Sequence, residues 1–408
     1  MSVVKGGVCD AHLELLGPAT TRVGRRRHQG TALMTNWDPS PSSQHPALST
    51  SRRVERAVIL CGGEGTRLRP FSFSTPKHLM PVANRPVIEW ILDALADARI
   101  EEAAVVVSPQ NERVFQDALG ARTKRGIKLR FVVQEHPRGL AHAVSCARAF
   151  VSDDPFLLYL GDNLFEHGVA GITRAFRQGR YSALVALNQV DDPQRFGVAR
   201  LDGPTILELV EKPATPPSRW AVAGAYVFSP QIFDAIERIA PSKRGELEIT
   251  DAIQVLIESC GDVGAHFVEG WWNDVGLPRD LILASERMIE RMNARIDGIV
   301  DAGSRLDGLV IVSQGADVKA SVLHGPCIVA SGARIIDSEI GPNVTVGDNC
   351  VVAGARIRNS ILMDSCRIEP FASLADSIVG RRSRVSPGPG NGSFSVLLGD
   401  DSSLSLHA

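Results

Sequence analysis

What the chain lacks narrows its chemistry first. Its seven cysteines (Cys9, Cys61, Cys146, Cys260, Cys327, Cys350, Cys366) are scattered, odd in number and free of any Cys-x-x-Cys pair. That excludes a disulfide framework and a zinc site, and implies reduced thiols in a cytoplasmic setting. Charge of one sign is also missing: 44 Lys+Arg stand against 46 Asp+Glu, a net of −2. No global basic footprint invites nucleic acid or an anionic membrane, so any phosphate must be met by a local cluster. No apolar run reaches the length of a membrane span, and no charged region followed by an apolar one opens the chain. Neither insertion nor secretion is expected.

Two familiar phosphate loops are absent as well. "AVILCGGEGTRLRPFSFSTPKHLMPV" leaves an apolar run through Gly62, Gly63 and Gly65. A P-loop needs Lys and then Ser or Thr after its last glycine, and here Thr66 and Arg67 follow. The dinucleotide fingerprint needs a third small residue, and bulky Leu68 stands near that place. Yet bare glycine backbone can approach an anion and offer it N–H groups. Arg67 adds a permanently charged fork and Lys77 a point charge, while Pro70, Pro76 and Pro81 stiffen the loop. The stretch reads as a phosphate-gripping loop of another kind, with Arg69 a surface charge.

From Ala57 onward strands and helices alternate. "AVIL", "EAAVVVS", "KLRFVVQ" and "PFLLYLGD" read as buried strands, with "PVIEWILDALADARI" and "GLAHAVSCARAFV" as helices between them. This implies βαβ crossovers and a mostly parallel sheet. "SALVALNQV", "FGVARL", "LELVEK" and "VAGAYVF" follow at hairpin-like spacing, then helices at about 230–240 and 248–258, the strand "GAHFVEG" and the helix "PRDLILASERMIERMNARI". Beyond Ile296 apolar residues recur six apart (Ile340, Val346, Val352; Leu362, Ile368, Leu374; Val379, Val385), with occasional five-residue steps such as Val352 to Ile357. That period predicts a left-handed parallel β-helix. The expected division is a disordered, basic 1–52 (or a start at Met34 or later), a Rossmann-like α/β domain over 53–295, and the β-helix over 296–408.

The ordered set "GGEGTRLRPFSFSTPKHLMPVANRPVIEW", "QEHPRGLAHAV", "LGDNLF", "RFGVARL", "VEKP", "VAGAYVF", "RGELEITDAI" and "WWNDVG" resembles the sugar-1-phosphate nucleotidylyltransferases. With the β-helix and "LLGDDSS" it is similar to their long-form glucose-1-phosphate thymidylyltransferases. The resemblance implies a dTTP and glucose 1-phosphate user that releases pyrophosphate and assembles as a homo-oligomer. It implies that Arg67, Lys77 and Lys212 are catalytic, the last at the sugar phosphate. It places Leu60, Gly62, Gly63, Gly65, Thr66, Gln134 and Gly139 at the nucleotide, with Gln134 pairing to a pyrimidine edge. Gly197, Glu211, Val222 and Gly224 are implied at the sugar.

Asp162 ends a predicted strand where open α/β sheets place their ligand crevice. Together with Asp274 it offers two carboxylates suited to Mg2+, which binds few protein oxygens plus substrate phosphates. Glu246, Glu248 and Asp251 read as a capped helix start, and His78 and His142 carry no assigned role. Cys61 and Arg85 depart from the family's more familiar Ala or Ser and Lys. A UTP or GTP user and a non-catalytic regulatory homologue remain alternative readings. Acetyl transfer by the β-helix is disfavoured because His324 is the one histidine within its repeats and reads as a turn residue. The β-helix is therefore expected to organise subunits without chemistry of its own.

Overall fold

The computed structural model describes residues 53–405 apart from 122, 124, 371–372 and 387–392. The expectation for residues 1–52 lies outside the described residues. Nine strands form the main sheet: β1 (Arg56–Leu60), β2 (Glu102–Val107), β3 (Lys128–Val133), β4 (Phe156–Leu160), β5 (Ala183–Gln189), β6 (Gly197–Asp202), β7 (Thr205–Glu211), β8 (Trp220–Phe228) and β9 (Val263–Phe267). Their order is β3-β2-β1-β4-β8-β5-β9-β7-β6. β1 pairs in parallel with β2 on one side and β4 on the other. The chain thus moves outward from β1 to β3 and then jumps back across β1, creating a switch point where two loops diverge and leave a crevice. β8 reverses direction against β4 and β5, and β6 with β7 makes an antiparallel hairpin.

Eight helices cover this sheet: α1 (Val87–Asp97), α2 (Glu112–Leu119), α3 (Leu140–Cys146), α4 (Arg148–Val151), α5 (Ala170–Gln178), α6 (Gln231–Arg238), α7 (Ile249–Cys260) and α8 (Pro278–Ile289). α1 buries Ile88, Ile91, Leu92 and Leu95, one stripe at helical spacing. "GLAHAVSCARAFV" is two helices rather than one, because Ala147 sits at φ −91°, ψ 4° and its N–H bonds Val144 O in a tighter turn. α8 ends at Ile289, short of the expected 295, since the chain turns to deliver Arg295–Ile296 to the first β-helix sheet. α2 and α5 carry little apolar signal: α2 buries Phe115 alone, and α5 buries Ile172, Thr173 and Phe176.

The remainder is a parallel β-helix of three sheets with seven, seven and five strands. Ile340 aligns with Ile357, Val346 with Leu362 and Val352 with Ile368, so one coil takes 16 or 17 residues. Steps of six, six and five around three faces account for the imperfect repeat. The β-helix is not a separate body. Ile328, Ile361, Met363 and Ile378 join the same core as Leu281 and Ile282 of α8.

Candidate active site

The site lies at the switch point, in a cavity of about 360 Å³. Leu60, Gly62, Gly63, Arg67 and Lys77 form one wall, beyond the end of β1. Asp162 and Asp274 lie at its floor, Gln134 and Gly139 on a second side, and Lys212, Val222 and Gly224 on a third. Gly65, Thr66, Gly197 and Glu211 are not among the residues that line it. Gly65 adopts φ 63° and turns the chain into the first of three short 3-10 turns, Thr66–Leu68, Phe71–Phe73 and Lys77–Leu79. Gly197 backs Glu211, since a Cβ there would lie 3.3 Å from Glu211 Oε2 and 2.7 Å from Thr250.

Two carboxylates meet because a short antiparallel ribbon joins Asn163–Phe165 to Trp272–Asp274, and Val275 N donates to Asp162 O at 2.8 Å. Lys77 Nζ donates to Asp162, and their side chains are 15% and 17% exposed. Burial alone would raise the Asp162 pKa, but the Lys77 charge and hydrogen bonds bring it below the ordinary carboxylate value. Asp274 is pushed up to about 6, first by burial and then by the Asp162 charge. Burial opposes the Lys77 charge, yet Asp162 and Asp274 hold it protonated. The Arg67 guanidinium rests on Gly276, where a Cβ would stand 3.2 Å from Nη2. Arg69 instead turns outward over the exposed Phe73 ring at 4.8 Å.

Several partners were not legible in the sequence. Asn163 donates to Asp162 Oδ1 at 2.8 Å and accepts from Trp272 Nε1 at 2.7 Å, locking the carboxylate to an aromatic wall. Gln134 Nε2 donates to Gly139 O at 3.2 Å and meets His142 Nδ1 at 2.9 Å. Burial and then Arg138 hold His142 below its usual pKa, so the neutral ring accepts and fixes the amide. Gly139 takes φ +100° with Leu247 backbone 2.6 Å from where a Cβ would sit. Lys212 holds a left-handed φ of 40°, rare strain that turns its side chain beside Glu211.

Arg244 organises the acidic segment: it contacts Glu211 at 3.4 Å, Glu246 at 3.5 Å and Glu248 at 2.8 Å. Glu248 sits at the N-cap of α7, but its carboxylate accepts from Arg244 and Ser242 and not from helix amides. Glu246, read as part of a capped start, faces the cavity. Burial, chiefly, raises the Glu211 pKa, with Lys212 opposing. His78 is buried and held near a pKa of about 3, mainly by burial, so it is neutral. His324 lies between Asp307 (3.4 Å) and Glu339 (3.7 Å) on neighbouring coils.

Comparisons with known proteins agree with this geometry. A family model described as "Nucleotidyl transferase" matches residues 56–291, and one described as "GMPPB C-terminal domain" matches 323–402. The chain is 40% identical to the low-salt glycan biosynthesis nucleotidyltransferase Agl11 of Haloferax volcanii, over 81% of this chain and 93% of that one. It is 38% identical to a glucose-1-phosphate thymidylyltransferase of Streptomyces antibioticus, over 86% of this chain and 100% of the other. A solved UDP-glucose pyrophosphorylase complexed with UDP-glucose superposes with a TM-score of 0.54 at 25% identity, covering 59% of this chain and 100% of that one.

Proposed function

The chain belongs to the nucleotidyl transferase family, and from that premise we propose that it makes dTDP-glucose and pyrophosphate from dTTP and glucose 1-phosphate. One observation carries the reading: three cations, Arg67, Lys77 and Lys212, line one cavity with a half-buried carboxylate pair. In the reaction an anionic oxygen of the sugar phosphate attacks the α-phosphorus, the α–β P–O bond breaks, and pyrophosphate leaves with its electrons. The nucleophile already carries its charge, so the protein need move no proton. Its task is positioning and charge neutralisation.

Arg67 and Lys77 meet the triphosphate and the charge that grows on the leaving group. Lys77, shared with Asp162 in this structure, is shared with phosphate oxygens in the reaction. Lys212 meets the sugar phosphate, and Glu211, held by Thr250 and Arg244, accepts sugar hydroxyls with Gly197, Val222 and Gly224 beside it. Thr66, Gly65 and Leu60 shape the nucleotide wall. Asp162 and Asp274 would hold Mg2+: two half-buried carboxylates, with the Asp162 charge raising the cost of ionising Asp274, suit a divalent cation. When bound, that cation supplies charge neutralisation to the triphosphate.

Base choice rests on Gln134, whose Nε2 is held by Gly139 and His142 while Oε1 lies 3.1 Å from where a Cβ on Gly62 would stand. The identity to the Streptomyces thymidylyltransferase supports dTTP. Mixing the purified protein with each of five nucleoside triphosphates, glucose 1-phosphate and magnesium, and measuring pyrophosphate, tests the proposal. Fastest release from dTTP with UTP tolerated is expected; a win for GTP or ATP overturns the base assignment.

The division into 1–52, 53–295 and 296–408, the left-handed winding, self-association and a cytoplasmic setting belong to the same proposal. The six-residue step supports the winding, and exposed Ile296 and Ile299 on the first coil support association. Free Cys61, Cys146, Cys327, Cys350 and Cys366 support a reducing compartment. Among the described residues no helix is long and apolar enough to cross a membrane.

A further inference from the structure

The phosphate-gripping loop is held from an unexpected direction. Between Arg67 and Lys77 the chain makes short 3-10 turns and no sheet pairing, and such turns hold their geometry poorly alone. The middle of that stretch rests on the last coil of the β-helix, some 300 residues away. Ser74 Oγ donates to Asp400 Oδ2 at 2.8 Å, and Arg381 Nη1 donates to Thr75 Oγ1 at 2.6 Å. Asp400 Oδ1 in turn accepts from Arg381 N at 2.7 Å, and its side chain is 7% exposed. Pro70 lies so close to Gly399 that a Cβ there would stand 3.2 Å away. On the loop's inner side Ser72 Oγ donates to Gly65 O at 2.8 Å, passing the anchor to the phosphate glycines.

We propose that Arg381 and Asp400 are positioning residues for nucleotidyl transfer, fixing Pro70–Thr75 on the last coil and thereby the separation of Arg67 and Lys77. The terminal "LLGDDSS" is then part of the catalytic apparatus, although it touches no substrate. An exposed polar contact alone would be worth little. Here the carboxylate side chain is 7% exposed, it is held by the Arg381 amide of the preceding coil, and it grips a segment flanked by the two cations that must meet one triphosphate. Misplacing such groups by about 1 Å can cost a hundredfold in rate. The inference rests on the roles proposed for Arg67 and Lys77.

The test compares wild type, Asp400→Ala, Ser74→Ala and the double variant by kcat, both KM values and Tm. Each single variant is expected to lower kcat/KM for the triphosphate about tenfold, with KM for the sugar phosphate within twofold. The double variant should be no worse than Asp400→Ala alone, because Asp400→Ala already removes the acceptor of the Ser74 hydroxyl, and Asp400→Asn should restore most activity. Multiplicative losses, unchanged kinetics, or equal loss toward both substrates would overturn the proposal. Hydrogen exchange provides a readout independent of turnover. Asp400→Ala should speed exchange over residues 62–80 and leave β1 unchanged, and an unaltered loop refutes the anchor. Should wild type transfer no nucleotide at all, the proposed function fails and the exchange result still decides the positioning claim. Ser74→Ala, a hydroxyl removal on the loop side, keeps the test open if Asp400→Ala does not fold.

Discussion

At the scale of single residues, the site works by charge held where water is scarce. Asp162 and Asp274 are joined through backbone as well as through electrostatics, and Lys77 supplies the balancing charge. Replacing either aspartate by Asn keeps shape and removes charge. Turnover at limiting magnesium is expected to fall by orders of magnitude, which a pyrophosphate assay reads directly. The raised Asp274 pKa carries a second prediction. Without divalent ions, wild type at pH 8 must keep this carboxylate ionised next to Asp162, at a cost the unfolded chain does not bear. Between the unfolded value near 4 and the folded value of about 6 the native state holds the extra proton, so this contribution to stability falls as pH rises. Asp274→Asn should therefore raise the Tm of the metal-free protein at pH 8, with the gain shrinking toward pH 5. A gain that grows as pH falls would contradict the assigned pKa.

Elements bring these residues together by different means. A parallel strand pair delivers the glycine loop and Asp162 side by side, and a two-strand ribbon returns Asp274 to them. In the β-helix, stacking is reinforced by serines one coil apart. Ser321 N donates to Ser304 Oγ, Ser338 N to Ser321 Oγ and Ala355 N to Ser338 Oγ, at 3.1, 3.1 and 3.2 Å. Ser338 Oγ also donates to Ile336 O at 2.7 Å. Ser338→Ala leaves a buried amide without that acceptor and should cost about 1–3 kcal/mol. Denaturant melts should show the loss while transfer kinetics stay unchanged. The strands, α1 and the six-residue repeat were legible because each buries a regular apolar pattern. α2 was not, for an eight-residue, largely polar helix with Phe115 as its one buried side chain offers too few apolar residues to mark it.

For the whole molecule, the shared core and the proposed Asp400 anchor add a positioning role to the division of labour expected from the sequence. Every charge proposed for transfer lies between Gly62 and Asp274, the ground for expecting a β-helix that organises subunits with no chemistry of its own. Its residues also complete the core beneath α8, and its last coil hydrogen-bonds the phosphate loop at Ser74. Cutting after Arg295 should bare the α8 face, shrink the assembly and reduce transfer at least tenfold. Light scattering with a pyrophosphate assay on the fragment checks all three. A soluble fragment of full activity would restore the simpler division.

The sequence by itself determined the elements, the coil period and the local cation and carboxylate motifs, because hydrophobic period and glycine or proline chemistry act over a few residues. The anchoring of Asp162 by Asn163 and Trp272, the fixing of Gln134 by His142, and the gathering of Glu211, Glu246 and Glu248 around Arg244 were decided by tertiary structure. So was the grip of Arg381 and Asp400 on Thr75 and Ser74. A hydrogen bond between side chains distant in sequence leaves no periodic trace along the chain. Whether two polar groups meet depends on where the packing of apolar surface brings their backbones.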